Sequence, residues 1–74
     1  MKNESVLFSI ESKLPPVIAR DHVPKLLGGV ISAKTLANLD SEGRGPKRAR
    51  VGRKVVYITA DLLQWLETRT VSLN

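Results

Sequence analysis

Six of the twelve lysines and arginines of this 74-residue chain lie within eleven consecutive residues, 44–54, which read RGPKRARVGRK. This basic segment contains no acidic residue, and the rest of the chain holds six cations and seven acids. The net charge of +5 therefore comes entirely from the basic segment. Clustered cations of this kind are typical of surfaces that bind polyanions such as nucleic acid. From charge alone, a solvated basic loop without a ligand remains the alternative interpretation.

Strand and turn patterns place the basic segment on a predicted β-hairpin. The first predicted strand spans residues 47–51, where Arg48 and Arg50 alternate with Ala49 and Val51. The second spans residues 55–58, VVYI, which are β-branched or aromatic. Between them, Gly52-Arg53 has the Gly-X form of a type II′ turn. The hairpin side chains expected to contact a polyanion are Lys47, Arg48, Arg50, Arg53 and Lys54.

A first helix is predicted upstream of the hairpin. Val23, Leu26 and Leu27 are spaced as one helical face, and the helix is expected to start near residue 19 or 20. Pro24 then falls in or near the first turn, where a missing N–H costs no hydrogen bond. Glycines 28 and 29 are expected to end the helix.

A second helix over residues 33–40 is predicted from Ser32 as its N-cap, with Leu36 and Leu39 facing inward. The short glycine-containing link between the two helices indicates a helix-turn-helix layout. In that layout the exposed face of the second helix enters the major groove, where asparagine can pair with adenine and lysine with guanine or a phosphate. The candidates are Ser32, Lys34, Thr35 and Asn38. The plainer alternative is that Ser32 only caps the helix and the other side chains are ordinary solvated residues.

A third helix is expected to follow the hairpin, with Thr59 as its cap and an apolar stripe that includes Trp65. Trp65 and Tyr57 are interpreted as core residues rather than base-stacking groups. The predicted domain therefore spans residues 14–69, between an N-terminal tail or short strand (1–13) and a C-terminal tail (70–74). The alternation of Val6, Phe8 and Ile10 is the basis for that strand.

Enzymatic and cofactor-dependent functions find no support in the residue types present. The chain has no cysteine and a single histidine, His22, so neither a thiolate metal site nor a metal or catalytic cluster built on several histidines is available. No nucleophile–base set is recognisable. We expect a non-enzymatic protein without cofactor or metal, and without a signal peptide or membrane span.

The predicted elements follow the order helix, tight turn, helix, basic hairpin and helix. In this order of elements the sequence resembles the phage excisionase and AlpA-like group of MerR-type winged-helix proteins. The resemblance covers about residues 14–69, and the segments that carry it are VI at 17–18, VPKLLGGVIS at 23–32, TL at 35–36, GP at 45–46, VGRKVVY at 51–57 and DLLQWL at 61–66.

This resemblance implies a small α+β winged helix-turn-helix fold, with the hairpin as a wing on the minor groove or flanking backbone. It also implies an excisionase, or recombination directionality factor, that bends double-stranded DNA and steers the integrase of a phage or genomic island toward excision. An AlpA-like transcriptional regulator of a prophage is the first alternative, and an adaptor that holds an integrase or polymerase is the second. The expected protein is cytoplasmic and associated with the bacterial nucleoid, monomeric in solution, and assembles cooperatively on repeated DNA sites.

Overall fold

The computed structural model describes residues 10–73, which form a three-stranded antiparallel sheet and three α-helices. The α+β class predicted from the sequence is therefore confirmed. The elements in chain order are β1 (Val17–Ala19), α1 (Val23–Leu26), α2 (Ala33–Ser41), β2 (Ala49–Val51), β3 (Lys54–Ile58) and α3 (Thr59–Thr68), with 3₁₀ turns at Glu11–Lys13 and Arg20–His22. The N-terminal strand predicted from residues 6–10 lies outside the described residues except for Ile10, which is in a turn.

The sheet has the order β1-β3-β2, so β3 is its central strand. On one side Ile18 pairs with Tyr57, and on the other Arg50 pairs with Val55. The predicted hairpin is present, although its first strand begins at Ala49, two residues later than expected, and its second begins at Lys54. Gly52 has a φ of +61° at the turn, which only glycine adopts readily.

Strand β1 was not predicted, because three residues after two prolines show no periodicity. Val17–Ala19 becomes a strand by pairing with β3, which lies nearly forty residues further along the chain. The entry to β1 is extended, as the Leu14-Pro15-Pro16 sequence requires, and Leu14 has φ −111° and ψ 153°. A long-range partner therefore decides the conformation of this segment.

Helix α1 is a single α-helical turn that continues the 3₁₀ turn Arg20–His22. The α-helix begins at Val23 and not near residue 19 or 20, because residues 20–22 form the 3₁₀ turn. Pro24 lies in the first turn of the helix, as predicted, where its missing N–H costs no intrahelical hydrogen bond. Gly28 and Gly29 have φ values of +66° and +81°, and the Gly29 N–H donates to the Pro24 carbonyl at 2.7 Å. The glycine pair ends the helix because it can adopt the left-handed conformation without a Cβ clash.

The hydrophobic core lies between the sheet and the helices. Its buried members come from β1, β3, the three helices and the link between α1 and α2, namely Ile18, Val23, Leu27, Ile31, Leu36, Tyr57, Leu62, Leu63 and Leu66. The inward orientation predicted for Leu36 and Leu39 is confirmed, since both are buried. Such a small core leaves the domain with modest stability, and the polar contacts described below matter correspondingly more.

Two residues near the third helix differ from prediction. Thr59 is not the N-cap: it is the first helical residue, it is buried, and its hydroxyl donates to the Pro15 carbonyl. Trp65 is only half-buried at the rim of the core, where its indole Nε1 donates to the Arg44 carbonyl at 3.0 Å. Both side chains therefore hold neighbouring loops against helix α3.

Candidate nucleic-acid interface

The exposed face of helix α2 carries the four side chains predicted to enter a DNA groove. Ser32, Lys34, Thr35 and Asn38 are all exposed. Ser32 is the N-cap, as predicted: its Oγ accepts the Thr35 N–H at 3.0 Å and donates to the Thr35 Oγ1 at 2.9 Å. Ser32 and Thr35 thus order the start of the helix, whereas the side chains of Lys34 and Asn38 form no hydrogen bond or ion pair within residues 10–73.

Replacing Ser32 with alanine is expected to lower the free energy of unfolding by about 1 kcal/mol, because the Thr35 N–H loses its acceptor. Urea denaturation followed by circular dichroism measures the change. Ser32→Asp is the matched control and should retain near-normal stability, since aspartate is an equally good N-cap. Equal loss in both variants would contradict a capping role.

All six cations of the basic segment are exposed in the structure. Three of them have carboxylate neighbours: Lys54 Nζ lies 2.7 Å from Asp21 Oδ2, Arg44 Nη1 lies 3.0 Å from Glu42 Oε1, and Arg48 Nη1 lies 3.9 Å from Asp40 Oδ1.

Within residues 10–73, no carboxylate is at ion-pairing distance from the other three cations, Lys47, Arg50 and Arg53. The basic segment therefore presents three cations without a carboxylate partner among the described residues, together with Lys54 in a single exposed ion pair.

The C-terminal end of α2 is joined to the sheet by a polar network that the sequence reasoning missed. The Tyr57 hydroxyl donates to Asp40 Oδ2 at 2.6 Å, and Arg20 Nη2 donates to the same oxygen at 2.7 Å. Arg20 Nε also donates to the Tyr57 hydroxyl at 3.1 Å. One buried carboxylate thus connects α2, the turn before α1 and β3, the central strand of the sheet.

A sequence signal for this network did exist. Asp40 lies four residues after Leu36, which places it on the buried face of α2, and it is only 4% exposed. A charged side chain at such a position requires a partner of opposite charge or strong hydrogen bonds. The partners themselves could not be identified, because Arg20 and Tyr57 are distant from Asp40 in the sequence.

Burial and hydrogen bonding shift the pKa values within the network. Burial raises the pKa of the Tyr57 phenol above its usual range, so Tyr57 remains a neutral donor to Asp40. The hydrogen bond with Tyr57 is the main cause of the raised pKa of Arg20, whose guanidinium remains charged. The network is therefore an ion pair supported by a neutral phenol.

The loop that leads from α2 to the hairpin packs directly on the Asp40 carboxylate. A Cβ atom added at Gly45 would lie 1.8 Å from Asp40 Oδ1, so only glycine fits there. In the described part of the chain, Oδ1 has no hydrogen-bond donor, and Arg48 Nη1 lies 3.9 Å from it. The path of the basic segment as it leaves α2 is thus set by contact with a buried charge.

The described residues show neither a cluster of three or more potential metal ligands nor a helix long and apolar enough to cross a bilayer. His22 is a surface residue in the 3₁₀ turn, with its Nε2 3.9 Å from Asp21 Oδ1.

No protein-family model matches the sequence, and no curated protein matches it. The resemblance to the excisionase group rests on the sequence segments quoted above. The basic segment and α2 are accordingly the features of the molecule that bear on its function.

Proposed function

We propose that this chain binds double-stranded DNA as a small winged helix-turn-helix protein, with α2 in the major groove and the β2–β3 hairpin as the wing. The observation that carries the proposal is the exposure of all six cations of residues 44–54 on a hairpin and loop tied to α2. Clustered positive charge on one structural unit is suited to the regular phosphates of a duplex.

Helix α2 would supply contacts to base edges. Lys34 and Asn38 are exposed and lack internal partners among the described residues. Both side chains can therefore replace hydrogen bonds to water with hydrogen bonds to atoms in the groove. Asparagine can form two hydrogen bonds with adenine, and lysine can reach guanine or a phosphate. Thr35 and Ser32 lie beside them at the start of the helix, where free backbone N–H groups suit a phosphate oxygen.

The hairpin would contact the minor groove or the flanking backbone. Arg50 and Val55 are paired across the hairpin, and Arg53 lies in its turn. Arginine is attracted to the strong negative potential of a narrow minor groove. Lys47 and Arg48, which precede β2, would extend this contact along the backbone.

Within this function, we propose the role of an excisionase that bends DNA and works with a site-specific integrase. The support is the ordered resemblance of residues 14–69 to that group. A transcriptional regulator of a prophage would use the same surface. Two assays separate the roles: an excisionase should stimulate integrase-dependent excision, whereas a regulator should change the expression of a reporter gene.

A protein-interaction adaptor is the second candidate function. One observation favours it: the sheet face that points away from the helices exposes Val17, Val51 and Ile58 at 45%, 66% and 52%. An adaptor that docks an integrase or polymerase should tolerate Arg53→Ala and Lys54→Ala, whereas a DNA-binding protein should lose affinity for every duplex.

The central test is fluorescence anisotropy of a labelled random duplex titrated with the protein at several salt concentrations. If about five phosphates are neutralised, the logarithm of the association constant should fall with the logarithm of salt at a slope of about −4 to −5. A single strand of equal length is the control and should give a shallower slope. Absence of duplex binding at low salt would overturn the proposal and favour the adaptor.

A further inference from the structure

The tip of the hairpin is connected to the start of the helical region by one ion pair. Lys54 Nζ donates to Asp21 Oδ2 at 2.7 Å, which joins the first residue of β3 to the 3₁₀ turn before α1. The two side chains are 63% and 52% exposed, so water and solutes have access to both charges. This pair therefore lies on the solvent-exposed surface of the hairpin.

The ion pair lies at a shallow surface depression, which we call the notch. It is lined by Arg20, Asp21, Arg53, Lys54 and Val55. Three of these residues are cations and Asp21 is the one acid, so the notch is a positive site that contains one negative group. Arg53 has no carboxylate partner within the described part of the chain.

A carboxylate and a phosphate diester are alike as ligands for lysine and arginine. Both present anionic oxygens that accept short charge-assisted hydrogen bonds. Asp21 is fully ionised near neutral pH, because the Lys54 hydrogen bond holds the pKa of its carboxyl below the usual range. Asp21 thus occupies, beside Lys54, a position that an external anion could fill.

We propose that the notch is a binding site for a backbone phosphate of duplex DNA and that the Asp21 carboxylate holds the phosphate position in the free protein. This inference rests on the proposed function and adds a specific subsite to it. When DNA binds, Lys54 exchanges Asp21 for the phosphate while Arg53 approaches the same group. Lys54 must give up its ion pair with Asp21 before it can bind the phosphate, so Asp21 lowers the affinity for DNA by competing for Lys54.

The test compares Asp21→Asn with Glu11→Gln in duplex anisotropy titrations of the full chain. Both variants remove one negative charge, but Glu11 lies in the first 3₁₀ turn and pairs with no cation of the described residues. Asp21→Asn should tighten binding about two- to fivefold more than Glu11→Gln, the range expected for release of an exposed ion pair. In a Lys54→Met background this additional gain should disappear.

The inference would be overturned by an Asp21→Asn gain no larger than that of Glu11→Gln, or by an additional gain that persists without Lys54. A loss of affinity in Asp21→Asn would also overturn it, because Asp21 would then orient Lys54 for DNA. Elution from immobilised heparin provides a readout without DNA, and Asp21→Asn should require more salt than Glu11→Gln. If that difference appears while no variant binds duplex, the anion notch stands and the DNA-binding function fails.

Discussion

Replacement of Asp40 with alanine should lower the free energy of unfolding by about 2–3 kcal/mol. Asp40 is buried and accepts from Tyr57 and Arg20, so its removal leaves a buried hydroxyl and a guanidinium without their acceptor. Loss of one partner from a fully buried pair costs about 3–5 kcal/mol, and the value here is lower because the Arg20 side chain is 24% exposed. Chemical denaturation followed by Trp65 fluorescence measures the change.

The loss expected for Asp40→Ala is large compared with the total free energy of unfolding of the domain. A chain of 74 residues has a total stability of about 4–11 kcal/mol, so the variant would lose a substantial part of it. Asp61→Ala is the matched control: Asp61 lies in the first turn of α3, outside the network, and its loss should cost less than about 1 kcal/mol. Equal destabilisation by the two variants would show that the network contributes nothing specific.

The double variant Arg50→Ala/Arg53→Ala should weaken duplex binding about 30-fold at a salt concentration of about 0.15 M. Each phosphate contact contributes about 0.9 to the salt slope, so two lost contacts reduce its magnitude by about 1.8. The electrostatic contribution to binding vanishes near 1 M salt. A slope reduced by about 1.8 between 1 M and 0.15 M salt therefore corresponds to an affinity about 30-fold lower at 0.15 M. Anisotropy titrations at several salt concentrations give both quantities.

The fold of this variant should be preserved, since neither arginine has an ion-pair partner within residues 10–73. The control is Lys13→Ala/Arg69→Ala, which removes the same charge outside the basic segment and should weaken binding only a few-fold through the net charge. If the two double variants lost affinity equally, binding would depend on overall charge and not on the hairpin. Unchanged affinity in Arg50→Ala/Arg53→Ala would exclude the hairpin from the interface.

Local chemistry explains the elements that were predictable. The glycine pair 28–29 ends α1 because glycine tolerates positive φ, and Ser32 caps α2 because its hydroxyl reaches the Thr35 N–H. The turn at Gly52-Arg53 and the β-branched run after it likewise determine the hairpin. In each case the deciding contacts lie within a few residues, so a short window of sequence contains the necessary information.

The charge and the exposure of the candidate site could also be predicted from local sequence. The segment 44–54 is basic and turn-rich in the sequence, and its cations are exposed in the structure. Lys34 and Asn38 were placed on the outer face of α2 by helical spacing, and both are exposed. DNA binding by these residues remains a prediction.

Only the tertiary structure decided which distant residues meet. Strand β1 exists because β3 pairs with it. The Thr59 hydroxyl donates to the Pro15 carbonyl and does not cap α3, because the segment before β1 lies beside the start of that helix. The partners of Asp40 and of Lys54 lie 17 to 33 residues away in the sequence. Periodicity and propensity report local preferences, whereas a buried ion pair or an edge strand is determined by which surfaces pack together when the chain folds.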